Sequence, residues 1–149
     1  MPVNPLLTKR EFPPTAPYLV GREKVREFAR AVLATAPIHH DLDAARAAGF
    51  SDVVAPPTFP VVVQEATLAQ LLAEPDGGID FSRVVHGEQR FDYARPVVAG
   101  DELTATLRVT SVKSLGGNSM VTAESTIVDA AGAPVVTAVS TLVVRGDDA

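Results

Sequence analysis

Downstream of residue 100 the hydrophobic positions alternate. Leu103, Ala105, Leu107 and Val109 take every second place, with Thr104, Thr106, Arg108 and Thr110 between them, and Val121, Ala123, Ser125 and Ile127 repeat the arrangement. A period of two belongs to strands with one buried face. Strand-like runs are therefore predicted at about 83–94, 102–114, 119–129 and 134–145. The last, Val135 to Val144, is apolar on both faces, as in a strand inside a sheet or at an interface. The breaks between runs are short: Val98-Ala99-Gly100-Asp101, Gly116-Gly117-Asn118 and Ala130-Ala131-Gly132-Ala133. Each is a hairpin-type signal, so an antiparallel meander is expected.

Upstream the period lengthens. Val25, Phe28, Ala29, Val32 and Leu33 fall at helical spacing, with Arg22, Glu23, Arg26 and Arg30 on the other side. This predicts an amphipathic helix from Arg22 to Leu33, ended near Ala36 because Pro37 follows. A second short helix is predicted from about Asp41 to Ala48, with Asp41 as N-cap and Gly49 just past its end. Residues 58–73 are apolar nearly all round, with Thr58 placed to cap and Pro60 in the first turn. Such a helix is expected to be largely buried and wrapped by something wide, although its valines leave the first turn open between helix and strand. Five prolines in the first twenty residues predict an extended arm lying over the rest. The whole reads as α+β, a curled antiparallel sheet around one long central helix, in a single domain over 1–149 with 1–20 as the arm. An open sheet leaves edges that need cover, most simply from a second copy or a paralogue.

Composition narrows the function classes. The 149 residues carry 13 Lys plus Arg against 18 Asp plus Glu, a net charge of -5, with no basic stripe to bind nucleic acid. The chain lacks an apolar run of about 18 residues, and its N-terminus lacks the basic and apolar regions of a secretory signal. Cysteine is absent, which removes disulfides, thiolate metal sites and Cys nucleophiles. The expectation is a soluble, cytoplasmic protein with no membrane span and no nucleic-acid partner.

Candidate chemistry is sparse. His39-His40-Asp41 groups three possible ligands, but neighbours in sequence rarely converge on one ion and no H-x-x-x-H spacing occurs, so no metal is expected. Gly116-Gly117 sits in a turn between strands, not in a phosphate-binding loop, and no cofactor is expected. No G-x-S-x-G elbow is present. His39 follows a proline turn between two helices, where an imidazole can project into a cleft and exchange protons near neutral pH; the bland alternative is a surface or capping histidine. In the 83–94 run, simple alternation puts His86, Glu88, Arg90 and Asp92 on one face, opposite Val85, Gln89, Phe91 and Tyr93. Alternating signs read as cross-strand pairing on a solvated face. A second reading puts His86 at a cleft mouth or subunit seam, with Gly87 allowing close backbone approach.

The order of helix, Pro37-Ile38-His39-His40-Asp41, Ala44, Gly49-Phe50, Val54-Ala55-Pro56-Pro57-Thr58-Phe59 and long apolar helix resembles the MaoC-like hydratases and dehydratases. So does Phe91-Asp92-Tyr93-Ala94-Arg95-Pro96-Val97-Val98-Ala99-Gly100-Asp101, which is similar to that family's r-P-v-x-x-G-D strand-turn. The resemblance spans about residues 20–145. It implies a hot-dog fold acting on enoyl or 3-hydroxyacyl thioesters of coenzyme A or acyl carrier protein, in fatty acid metabolism. In the family's G-D-x-N-P-L-H-x-D segment, an Asp and a His move water across the 2,3-bond and the Asn orients them. Aligned on Pro37, Leu33 falls on the Gly, Ala34 on the Asp, Ala36 on the Asn, His39 on the His and Asp41 on the trailing Asp. His39 is then the residual catalytic candidate, half of a dyad. Asp41 or Asp43 could replace the carboxylate, though both are better placed to cap a helix, and His40 replaces His39 if the register slips by one.

With its Asp position filled by Ala34, the chain looks most like the non-catalytic subunit of heterodimeric (3R)-hydroxyacyl thioester dehydratases, and like the N-terminal halves of double hot-dog hydratases. That likeness implies an acyl-CoA or acyl carrier protein thioester as substrate and a MaoC-like catalytic chain as partner. Self-association as a homodimer is the alternative. The implied substrate-binding residues are Pro57, Thr58, Phe59 and Val63 at the helix entry, with Phe59 and Val63 lining the acyl tunnel, and His86. Backbone N–H groups at that helix N-terminus would polarise the thioester. Rival readings are a thioester-binding homodimer without catalysis and a hot-dog thioesterase.

Overall fold

The computed structural model describes residues 2–147; Met1, Asp148 and Ala149, the ends of the span expected as one domain, lie outside the described residues. Its strands are β1 (Tyr18–Leu19), β2 (Val84–Tyr93), β3 (Glu102–Leu115), β4 (Asn118–Val128) and β5 (Pro134–Val144). They form one antiparallel sheet in the order β1-β3-β4-β5-β2. The three helices are α1 (Arg22–Ala31), α2 (Leu42–Ala47) and α3 (Pro60–Leu72). This is the curled sheet against a central helix that the periodicity predicts, a hot-dog fold.

The meander is correct for β3, β4 and β5 but not for β2. Val98-Ala99-Gly100-Asp101 does not close a hairpin: residues 94–101 carry the chain across the sheet, and β2 pairs with β5, antiparallel, on the far side. The turn geometry at Gly100 (φ 95) serves a crossover. β5 therefore lies between β4 and β2, which accounts for its two apolar faces; Val139 is 8% exposed on the convex side, beside Arg90 and Glu124.

A bulge corrects the reading of β2. The register with β5 slips between His86 and Glu88, so Gly87 is the extra residue. His86 then pairs with buried Leu142 and turns to the concave side with Gln89 and Phe91, whereas Val85, Glu88, Arg90 and Asp92 face outward. A Cβ on Gly87 would meet Val143 Cγ2 at 3.2 Å, so the tight approach suits glycine.

Helix α3 lies on the concave face, and two of its four polar residues are on the buried side. Gln64 and Thr67 are fully buried, while Ala66 and Ala69 are exposed and Val61, Val62, Leu68 and Leu72 only half-buried. The sheet covers one side of the helix, and that side contains polar groups needing partners. Gln64 Nε2 donates to Ala138 O (3.1 Å), Gln64 Oε1 accepts from Gln89 Nε2 (2.9 Å), and Thr67 Oγ1 bonds Ser125 Oγ (2.7 Å). The wrapping expected around α3 is thus absent from its outer, apolar side. Its N-cap is Phe59 without a side-chain bond, not Thr58, although Pro60 does occupy the first turn.

The arm is not extended throughout. Asn4 Oδ1 accepts from Leu6 N–H and starts a 3-10 turn, Pro5–Lys9, that drops Leu7 into the core beside Leu71 and Leu107. Arg10 ties it to Glu74 and Asp76 beyond the end of α3.

Candidate functional site

The site is built where α1 ends. The helix stops at Ala31, two residues short of the predicted Leu33 and ahead of the limit that Pro37 sets near Ala36. Ala34 N–H reaches back to Ala29 O (2.8 Å), and Leu33 adopts φ 60 to make that return. Pro37–His39 then forms a second 3-10 turn, and α2 begins with Asp41 Oδ1 accepting from the N–H groups of Asp43 and Ala44. Asp41 is thus a helix cap, not a substitute catalytic carboxylate.

His39 is 8% exposed. Its Nδ1 lies 2.6 Å from Val54 O. A carbonyl can only accept, so Nδ1 carries a proton, and in the neutral ring Nε2 is the acceptor. The loop holding that carbonyl is itself braced: Val54 N–H donates to Ile38 O and Ala55 N–H to Val97 O. His40 does something else. Its Nε2 donates to Ala34 O at 2.7 Å, and Arg26 Nε holds the His40 carbonyl at 2.9 Å. His40 fastens the turn, so the register slip is not realised.

A cavity of about 510 Å³ lies against His39, lined by Ile38, Phe50, Pro57, Tyr93 and Arg95 among others, and its surface is mainly apolar. No aspartate or glutamate is among its lining residues. Tyr93 Oη donates to Pro57 O (2.7 Å), joining the end of β2 to the loop before α3, and burial pushes its phenol up to about 12. Arg95 is occupied: its guanidinium bonds both oxygens of Asp101 (2.9 and 3.1 Å) and Asp129 (3.2 Å). The hydrogen bond to Asp101 raises the Arg95 pKa above its ordinary value, and the Ala133 N–H, then Arg95 and the Ala131 N–H, hold Asp129 below its own. The Arg-Pro-to-Gly-Asp motif is thus a structural clasp that presents the arginine stem to the cavity.

Of the expected binding residues, Pro57 lines this cavity and Thr58 is exposed beside it in sequence. Phe59 and Val63 are core residues: Phe59 is wholly buried, 5.3 Å from the Phe28 ring and 6.5 Å from that of Tyr18, and Val63 is 3% exposed. Phe59 at the N-cap and Val63 one turn further on lie on the side of α3 that meets the sheet, in one core cluster with Leu103, Ala105, Ile127 and Ala138. Pro56, Pro57 and Pro60 have no N–H, and Phe59 N–H is taken by Pro56 O. Thr58 N–H is the amide at this helix entry without a backbone acceptor among the described residues. His86 lies in a different groove, of about 340 Å³, with Glu65, Leu68, Leu72 and Phe81, so the structure does not bring it to His39. Phe50, Tyr93 and Arg95 all stand in the motif segments without being marked there as lining; Tyr93 and Arg95 reach the cavity from the end of β2 and the start of its crossover.

Among the described residues no cluster of three metal-ligating side chains comes together, and no helix is long and apolar enough to cross a membrane.

Comparison with known proteins adds three findings. The profile of the family "FAS1-like, dehydratase domain region" matches residues 8–138. A UPF0336 protein of Clavibacter michiganensis subsp. michiganensis is 76% identical over the full length of both chains. Among solved structures, the fold is similar to a MaoC-like dehydratase (37% identity, TM-score 0.77), covering 93% of this chain and 42% of that one. It is also similar to the HadBC (3R-hydroxyacyl-ACP dehydratase) complex from Mycobacterium tuberculosis (32% identity, TM-score 0.78), covering 89% of this chain and 92% of that one.

Proposed function

This chain belongs to the FAS1-like dehydratase domain family, within the MaoC-like hot-dog dehydratases, and on that premise we propose that it is a supporting subunit of a (3R)-hydroxyacyl thioester dehydratase or (R)-specific enoyl hydratase. It shapes the acyl site, and a partner chain carries the Asp–His dyad. The observation that carries this reading is an apolar cavity with a histidine of fixed tautomer and no carboxylate. Hydration of an enoyl thioester needs one group to take a proton from water as its oxygen bonds the β-carbon, and one to deliver a proton to the α-carbon. His39 Nε2 can accept one proton. Ala34 and Ala36 can neither deliver one nor orient the group that does. The thioester oxygen, gaining negative charge, would be met by the Thr58 N–H at the entry of α3. The HadBC complex supports pairing of two hot-dog chains as the complete unit.

The test is hydration of a short trans-2-enoyl-CoA, followed by loss of enoyl absorbance. The pure chain should be silent or weak, and co-expression with a complete MaoC-like chain should raise turnover above that chain alone. Turnover by the pure chain that disappears in His39→Ala would instead place a working site in this subunit. Hydrolysis to free thiol, without hydration, would favour a thioesterase.

A further inference from the structure

The loop that leads into α3 offers carbonyls to two side chains of one cavity. Val54 O takes the Nδ1 proton of His39, and Pro57 O takes the phenol proton of Tyr93 at 2.7 Å. The first bond fixes a ring that is only 8% exposed and whose Nε2 has no partner among the described residues. The second bond falls on a peptide unit of special position. Pro57 C=O and Thr58 N–H are the two ends of one planar amide. That amide is trans, so its N–H leaves the edge opposite the carbonyl and points away from the Tyr93 hydroxyl.

The prolines around it and the turn to Pro56 O leave Thr58 N–H as the open donor of this loop. Pro57 lines the cavity and Thr58, next along, is exposed, so the amide stands where the apolar lining gives way to solvent. Its direction is held. Phe59 N–H on Pro56 O closes a four-residue turn whose central peptide is this one. Rotating that peptide would require positive φ at the third residue. The third residue is Thr58, which is β-branched and does not have positive φ. Tyr93 opposes the same rotation from the carbonyl side. A hydrogen bond on a carbonyl also draws density from the amide nitrogen and makes the N–H at the other end a stronger donor, most effectively in apolar surroundings. Burial pushes the phenol up to about 12, so it stays a neutral donor near neutral pH.

We propose that Tyr93 is a positioning residue of the thioester site, one that aims and polarises the Pro57–Thr58 peptide so that Thr58 N–H receives the thioester oxygen. This rests on the function proposed above. In hydration, the water oxygen bonds the β-carbon as its proton passes to the base of the partner chain. The C=C electron pair shifts toward the thioester oxygen, and the charge returns to the α-carbon when that carbon takes its proton. A stronger N–H donor favours the charged oxygen over the ground-state carbonyl, so the effect falls on kcat more than on KM. Deleting a whole oxyanion donor costs about 10²–10³ in kcat, and one cooperative bond changes its neighbour by roughly 10–30%. Tyr93→Phe should therefore lower kcat of the paired enzyme roughly two- to eightfold, with KM nearly unchanged.

The experiment is NMR of the isolated full chain, folding being checked by circular dichroism. Tyr18→Phe leaves Tyr93 as the only tyrosine. Fluorotyrosine and difluorotyrosine then grade the acidity of the phenol at one place, at mildly acidic pH where it stays protonated. The Thr58 amide nitrogen resonance should move steadily along the series phenylalanine, tyrosine, fluorotyrosine, difluorotyrosine. Crotonyl-CoA, a short trans-2-enoyl thioester, should move the Thr58 amide proton downfield, and further at each step of the series. With a catalytic MaoC-like chain added, kcat for crotonyl-CoA should rise in the same order. A merely structural Tyr93 sets phenylalanine apart from the tyrosines but gives no gradation among them, and that result overturns the polarising role. Crotonyl-CoA that binds without moving the Thr58 amide overturns that N–H as the donor to the thioester oxygen. A chain that does not bind crotonyl-CoA, or a pair that hydrates none in any variant, is instead the failure of the functional reading, and the Thr58 series without ligand still decides whether Tyr93 polarises the peptide.

Discussion

Leu33 is the residue to change first, because its effect on stability runs against intuition. Its φ of 60 is the left-handed conformation, held where Ala34 N–H returns to Ala29 O. That conformation costs a residue with a Cβ roughly 1–2 kcal/mol, and glycine is the usual occupant of such a helix end. The Leu33 side chain is 84% exposed, so removing it forfeits little packing. Against this, glycine gives freedom back to the unfolded chain, a loss of about 0.4–1 kcal/mol. The balance for Leu33→Gly is a gain of about 0.5–1 kcal/mol, or a rise in Tm of roughly 1–4 °C for a chain of this length. Leu33→Ala keeps the backbone cost and should change stability by less than about 0.5 kcal/mol. Urea denaturation of the three proteins with a common m-value measures both differences. A glycine variant less stable than wild type by about 1 kcal/mol, beside a neutral alanine variant, would refute the strain argument.

Four further outcomes follow from the site. His39→Ala leaves Val54 O without its donor and empties a buried imidazole's place, and should destabilise by about 2–3 kcal/mol in urea denaturation. Tyr93→Phe removes the bond to Pro57 O alone and should cost about 1 kcal/mol. The Arg22 guanidinium bonds Asp52 and holds its carboxyl below the ordinary value near 3.8; Asp129 is likewise lowered. Their folded pKa values lie below the unfolded ones, so their stabilisation is complete above pH of about 4–5 and is lost as pH falls through the folded values; Arg22→Ala should flatten that acid limb of a Tm-versus-pH curve. Ala34→Asp with Ala36→Asn should confer measurable hydration of enoyl-CoA on the isolated chain, and a folded variant that binds thioester without turnover would show that the vestigial dyad lies elsewhere.

Legibility followed the range of the interactions. Element bounds came within a residue or two wherever periodicity and local caps decide them, as at Asp41 for α2 and in the alternation of β3 and β4. What failed depends on distant contacts. Gly87 looks like any strand glycine until β5 fixes its register, and one extra residue turns His86 to the other face. Val98 to Asp101 has hairpin chemistry, yet β2 finds its partner in β5 instead of β3. Residues 58–73 are apolar nearly all round and do not say which side meets the sheet; Gln64 and Thr67 are on that side, bonded to Ala138 O and Ser125 Oγ. The cavity beside His39 was half visible: its histidine and Pro57 stood in one motif, whereas Tyr93 and Arg95 arrive from a strand end that only the crossover brings there.

The pattern of what the motif keeps and what it lacks also has a physical explanation. Ala34 leaves its own backbone groups satisfied, its N–H by Ala29 O and its carbonyl by His40, and Ala36 is exposed. An aspartate at 34 is not needed to hold the fold. His39 is different, because its Nδ1 proton satisfies the carbonyl of the loop that leads into α3. Stability alone therefore retains this histidine whether or not it moves a proton, so its presence is not by itself a sign of catalysis. What separates the two roles is the other nitrogen. A purely structural His39 uses Nδ1 and leaves Nε2 idle, so His39→Ala would lower stability and leave the turnover of a folded, partnered enzyme unchanged. If His39 also holds the acyl thioester or its water through Nε2, His39→Ala would raise the KM of that pair for enoyl-CoA at a temperature where the variant is fully folded. The urea curve and the KM together assign His39, and neither does so alone.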